Sequence, residues 1–100
     1  MHLAASQKRF LKSQAHSLKP LIIIGDKGYT NALEAELLKT LDQHELIKVR
    51  VNAGDREQRA EIIEQMCKSS GASLVGAIGH VAIVFLQRAK DSNIDLPKAK

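Results

Sequence analysis

The stretch Leu21-Ile22-Ile23-Ile24-Gly25-Asp26-Lys27-Gly28-Tyr29-Thr30 constrains the fold more than any other part of the chain. Four consecutive aliphatic residues, stopped by glycine, read as a buried strand rather than as the start of a helix. From Thr30 to about Leu41 the pattern changes to helical spacing, with Leu33, Leu37 and Leu41 in line and Leu38 beside them. Gly25-Asp26-Lys27-Gly28 is therefore a strand-to-helix loop with glycine at both ends. Glycine admits a sharp turn with positive φ and lets another chain approach without interference from a Cβ. The helix behind the loop aims free N–H groups and a partial positive charge at whatever sits there. A phosphate suits that environment, and Lys27 adds a full charge. A plain turn can show the same G-x-x-G pattern, so the flanking residues decide.

Those flanking residues are basic. No acidic residue precedes Asp26, whereas Lys8, Arg9, Lys12 and Lys19 do, within a chain of net charge +4. A basic segment running into a glycine-bracketed loop points to a polyanionic partner, nucleic acid foremost, with a merely solvated basic face as the plain alternative. Aromatics are confined to Phe10, Tyr29 and Phe85, with no Trp. That scarcity argues against the aromatic platforms on which many RNA readers stack bases.

Enzymatic readings find little support. The loop lacks the length and the Lys-Ser/Thr pair of a P-loop, and it lacks the third glycine of a dinucleotide fingerprint. His2, His16, His44 and His80 show no metal-ligand spacing, and no Ser or Cys sits in a nucleophile elbow. Cys67 stands alone, so no internal disulfide forms, and its helical context makes it a small core residue. The expectation is a non-enzymatic protein with no cofactor, no metal and no small-molecule substrate. Nothing resembles a secretory leader or a membrane span, so the expected place is the cytoplasm and no membrane partner is expected.

One hundred residues form one domain, 1–100, with a small core and a short basic tail from about residue 88 that includes Lys98 and Lys100. Residues 6–18 read as a helix with Leu11, Ala15 and Leu18 on one stripe, Phe10 beside it and Ser6 as N-cap. Lys19-Pro20 ends it, and His16 near its end can bond the last carbonyls. The next helix is capped by Thr30 or Asn31, and Asn31 with Glu34 has capping-box spacing. Glu45–Val51 alternates: Ile47, Val49 and Val51 point one way, Leu46, Lys48 and Arg50 the other. The cationic side of that strand is either half exposed or facing an anion. Asp55 with Gln58 opens a third helix, buried through Ile62, Ile63, Met66 and Cys67, and Gly71 suits its end. Arg56 and Arg59 oppose its dipole, which Glu57 and Glu61 offset unless the arginines serve a ligand. Ser73–Ile78 and Val81–Leu86 are strands joined by Gly79-His80, the last apolar enough to be covered on both faces. Both strand–helix–strand units have crossover length, so their neighbouring strands should run parallel. The tail after Gln87 either docks along the domain or stays mobile.

The order is α-β-α-β-α-β-β: an α+β two-layer fold with a four-stranded mixed sheet and three helices. At this point the chain resembles a known family. Ala15-His16-Ser17-Leu18-Lys19-Pro20, Ile24-Gly25-Asp26-Lys27-Gly28-Tyr29-Thr30 and His44-Glu45-Leu46-Ile47-Lys48-Val49-Arg50-Val51 look like the bacterial YhbY proteins, the stand-alone form of the CRM domain. Ile78-Gly79-His80 and Leu96-Pro97-Lys98 fit the same pattern. The resemblance implies a fold like the C-terminal domain of translation initiation factor 3, with strand order 1-2-4-3. That order places the second strand centrally and leaves Lys48 and Arg50 on an open face. It also implies RNA binding during ribosome biogenesis, to rRNA of the precursor of the large ribosomal subunit. The chain departs from the family at Phe85-Leu86, where Tyr-Arg is common, at His80, where Lys is common, and at Ala4-Ala5, where Ser or Thr usually opens the helix.

The expected site is thus Gly25, Asp26, Lys27 and Gly28 for a phosphate, with Lys8, Lys12, His16, Lys19, Lys48 and Arg50 along the adjacent backbone. The other reading is an adaptor that docks on a ribosomal protein or assembly factor through the acidic outer face of the second helix, Glu34 and Glu36.

Overall fold

The computed structural model describes residues 2–99; Lys100, counted above with the basic tail, lies outside them. Its elements are α1 (Ala5–Ala15), β1 (Ile22–Ile24), α2 (Asn31–His44), β2 (Leu46–Val51), α3 (Arg56–Ser70), β3 (Ser73–Ile78) and β4 (Val81–Phe85). The four strands form one mixed sheet in the order β1-β2-β4-β3. β1 and β2 are parallel neighbours, as their crossover connection requires. β3 is not a neighbour of β2. The final hairpin places β4 between them, antiparallel to both, so β3 runs parallel to β2 one strand away.

Alternation along the strands sorts the core into two clusters. Ile22, Ile24, Ile47, Val49, Val51, Ala82 and Val84 face Leu37 and Leu41 of α2 and Met66 of α3. On the other face Leu46, Val75, Ile83 and Phe85 meet Leu11 and Ala15 of α1, with Leu3 completing the set. The α2/α3 layer on the sheet is the expected two-layer body, and α1 adds a partial cover behind it. Ala82 to Phe85 are buried because both faces of β4 are covered.

Several local expectations need correction. α1 starts at Ala5, not at Ser6, because Gln7 Oε1 accepts the Ala4 N–H at 2.9 Å and closes the first turn without a capping hydroxyl. α1 also stops three residues early, at Ala15, with Leu18 exposed. Thr30 is the N-cap of α2, its Oγ1 accepting the Leu33 N–H at 3.2 Å. No Asn31–Glu34 box forms; Glu34 accepts the Tyr29 hydroxyl at 3.2 Å instead. The Asp55–Gln58 box is present in both directions, each bond 2.9 Å, and Gly71 ends α3 at φ 81°. Glu45 is not in the strand: it is the C-cap of α2 with φ 63° and a fully buried side chain. Finally, Leu21-Ile22-Ile23-Ile24 is only half buried, since Leu21 and Ile23 are exposed. α1 lies over β2 and β3 and leaves the β1 side of its face open.

The tail docks. Arg88 N–H and Ser92 Oγ–H donate to Glu45 Oε2 at 2.8 and 2.7 Å, and Asn93 N–H donates to Oε1. That anchor lets Ile94 and Leu96 pack on the α1 cluster, and Gln7 Nε2 donates to the Pro97 carbonyl at 3.0 Å.

Candidate nucleic-acid interface

Parallel β1 and β2, together with the β3–β4 hairpin, bring three connections to one end of the sheet: Gly25–Gly28, Asn52–Asp55 and Gly79-His80. Asn52 N–H donates to the Ile24 carbonyl at 2.8 Å, and Val51 N–H to the His80 carbonyl at 2.7 Å, so the three are tied together. His80 Nδ1 lies 3.2 Å from the Val51 carbonyl. This end of the molecule is therefore built on a rigid sheet, not on a floppy insertion.

The glycine loop is a tight turn closed by the Gly28 N–H donating to the Gly25 carbonyl at 3.0 Å. Gly28 takes φ 73°, the left-handed region where glycine has no Cβ penalty. A Cβ built on Gly25 or Gly28 meets no atom within 4 Å, so the corner is open to solvent. Because the turn consumes the Gly28 amide, that N–H is not available to an anion as expected. Among the described residues, the amides of Asp26 and Lys27 have no backbone partner. Both side chains are exposed. The N-terminus of α2 follows at Asn31, three residues after Gly28, and Thr30 caps it.

Two of the predicted cations are on β2, next to the strand that leads into this corner. Arg50 is in register with Ile23, two residues before Gly25, and Lys48 lies two residues farther down the same face. Arg50 Nε donates to Asn52 Oδ1 at 2.9 Å, which holds the guanidinium along the sheet. Lys48 Nζ donates to the His16 carbonyl at 3.4 Å, so the end of α1 meets β2 here and His16 itself is exposed beside it. Lys19 is exposed on the connector that leads from α1 into β1. Lys12 lies over β3, where a Cβ on Gly76 would stand 2.7 Å from its Cε. Lys8 is one turn farther from the loop, about 6 Å along the helix. Lys48, Arg50, His16 and Lys12 thus share the sheet face that α1 partly covers, whereas Asp26, Lys27 and Gly28, at the end of the same sheet, line a hollow with Gly54, Gln58 and Glu61 at the start of α3. The role of Asn52 in orienting Arg50 was not legible; the only signal was an Arg-x-Asn spacing that puts both on one face of an extended chain. Arg59 is occupied locally, its Nη1 donating to the Gly54 carbonyl at 3.2 Å.

A groove of about 790 Å³ lies elsewhere, between α3 and β3, lined by Ala60, Ile63, Cys67, Leu74 and Ala77 with Glu64 and Lys68 as its charged residues. Burial pushes the Cys67 thiol up, which suits a core residue and not a nucleophile. Among the described residues, no helix is long and apolar enough to cross a membrane.

The profile of the CRS1/YhbY (CRM) domain matches residues 3–85. The chain belongs to that family. It is 38% identical over 96 residues to a Haemophilus influenzae protein named "RNA-binding protein", covering 96% of both chains. It is 33% identical over 95 residues to a Bacillus subtilis protein named "Probable RNA-binding protein", covering 95% of this chain and 99% of that one. The solution structure of a hypothetical protein from Staphylococcus aureus, to which RNA binding has been ascribed, superposes with a TM-score of 0.83 at 30% identity, covering 96% of this chain and all of the other. This CRM domain therefore has the three-helix, four-stranded α+β fold expected of it.

Proposed function

We propose that this CRM domain is a non-catalytic RNA-binding protein that grips the sugar-phosphate backbone at the Gly25–Gly28 corner. The observation that carries the proposal is the open turn with two unspent amides, at the end of a sheet face rimmed by Lys12, His16, Lys48 and Arg50. The names of the relatives support RNA as the partner. In the cell the partner is ribosomal RNA of the large-subunit precursor, the role implied by the YhbY resemblance, and the compartment is the cytoplasm. Lys27 supplies an exposed charge at the corner, while Lys48 and Arg50 donate to the His16 carbonyl and the Asn52 side chain. Contacts of this kind fix the path of the backbone and carry little sequence information.

The test is the double substitution Lys27→Asp with Gly28→Asp, read by fluorescence anisotropy on a labelled rRNA fragment. Asp tolerates the left-handed conformation better than most residues, at a cost of about 1 kcal/mol, so the fold survives. Affinity is expected to fall at least about tenfold, since a cation is lost and two anions face the phosphates. Lys39→Asp with Lys68→Asp, at exposed positions of α2 and α3, removes two cations where the loop variant removes one and serves as the control. Equal losses in both variants, or none in the first, would remove the corner from the interface.

A further inference from the structure

The open part of the sheet carries a second kind of group besides cations. Ile23 pairs with Arg50, Arg50 with Val81 and Val81 with Ile78, so these four residues form one row across all four strands. On this face of the sheet the row is the last one before the glycine corner. Ile22 and Ile24 are buried against the other face, which puts Ile23 on this one, 59% exposed. Ile78, at the opposite edge, is 75% exposed. Pro20, Lys48, Arg50, Ile78, Val81 and Ile83 line a shallow hollow of about 290 Å³ here. A single exposed isoleucine needs no explanation on a protein surface. Two of them flanking an oriented arginine in one register row, beside a phosphate-gripping corner, form a surface.

We infer that this row is a platform for the unpaired bases of single-stranded RNA, whose backbone the corner and the lysines hold. The inference rests on the proposed function and adds the class of RNA. Four strands about 4.8 Å apart make a row about 14 Å long, the same architecture on which other four-stranded RNA readers lay two or three bases. Aliphatic side chains replace their aromatics here, so bases gain apolar contact without strong stacking. Arg50, its Nε engaged by Asn52, lies along the sheet in the middle of the row, where a guanidinium plane can stack on a base. A duplex cannot use the row. Its bases are paired and stacked, and an A-form helix offers mainly phosphates and 2′-hydroxyls. Apolar groups alone would fit a protein partner equally well. The cations along the same face, Lys12, Lys48 and Arg50, favour a polyanion whose other half is flat and apolar.

The experiment compares three probes of about twelve nucleotides, within the usual single-strand site size: a mixed-sequence RNA strand, an abasic strand of the same length, and the strand paired with its complement. The wild-type protein should bind the base-bearing strand at least about fivefold tighter than the abasic one, as expected when bases gain a surface, and the duplex no tighter than the abasic strand. Ile23→Ser with Ile78→Ser, both at exposed positions, should bring the base-bearing strand down to the abasic affinity and leave the salt dependence unchanged. Circular dichroism checks that this variant is folded. Equal wild-type affinity for strands with and without bases would overturn the platform and leave the corner standing. So would a base preference that survives the isoleucine substitutions, or a preference for the duplex. Failure of the wild type to bind any of the three probes would overturn the proposed function itself, and the platform with it.

Discussion

Glu45 combines a backbone conformation that costs a non-glycine residue about 1–3 kcal/mol with a carboxylate sealed from solvent. Burial alone would raise its pKa. The N–H of Arg88, the Ser92 hydroxyl, the N–H of Asn93 and the Arg88 charge outweigh that and hold the carboxyl below its usual range. Glu45→Gln keeps the shape but turns one acceptor into a donor that faces another donor, and is expected to lower stability by about 2 kcal/mol in urea denaturation at neutral pH. Because the folded pKa is depressed, the carboxylate's contribution is complete above the ordinary glutamate value of about 4.3 and is lost as pH falls through the lower folded value. The gap between native protein and variant should therefore close on acidification below about pH 4; a gap that stays constant would mean that the charge does not hold the tail. None of this was legible from the alternating pattern of Glu45–Val51, which gave Glu45 to the strand. Its partners are more than forty residues away, and local periodicity carries no record of them.

At the scale of elements, the sequence was most informative where one repeating period governs one stretch. Leu37 and Leu41, Met66, and the inward residues of β2 and β4 occupy the core as their spacing requires. The Asp55–Gln58 cap and the Gly79-His80 hairpin are local chemistry and appear where expected. Two things were not decided locally. The insertion of β4 between β2 and β3 has no local cause, although the family resemblance anticipated it. Docking of the tail, one of two alternatives the sequence left open, was undecided because Ile94 and Leu96 are isolated among polar residues and take their meaning only from Leu3, Leu11 and Phe85 across the fold. Ile94→Ala with Leu96→Ala should cost about 1–2 kcal/mol per half-buried side chain, less than a fully buried position. Because the two core clusters lie on opposite faces, hydrogen exchange should show lost protection at Leu11 and Ala15 of α1 while Leu37 and Leu41 of α2 keep theirs. Uniform loss across both helices would show that the tail supports the whole sheet and not one face.

For the whole molecule, the arrangement of charge matters more than its total. Lys12, Lys19, Lys48 and Arg50 are on the α1 side of the sheet, where neither α1 nor β2 carries an acidic residue, whereas on α2 and α3 Glu36, Glu57, Glu61 and Glu64 offset Lys39, Arg56 and Lys68. Such a polarity turns one side toward a polyanion during approach. If about five phosphates are neutralised, the logarithm of the RNA association constant should fall against that of salt concentration with a slope near about −3.5 for a single strand. Titrations at several salt concentrations measure it, and a slope near zero would show that the basic rim does not touch the backbone. The legible part of the candidate site was its cations and its glycines. The illegible part was the exposure of Ile23, since four aliphatic residues in a row look buried until the position of α1 is known.

The bond between Gln7 and Pro97 makes the polypeptide almost a ring. A splice between the start of α1 and the end of the docked tail would therefore run without crossing the sheet. Copies concatenated through such splices would each retain a full set of strands, and a long polyanion threaded along them would be held by avidity far beyond that of one module.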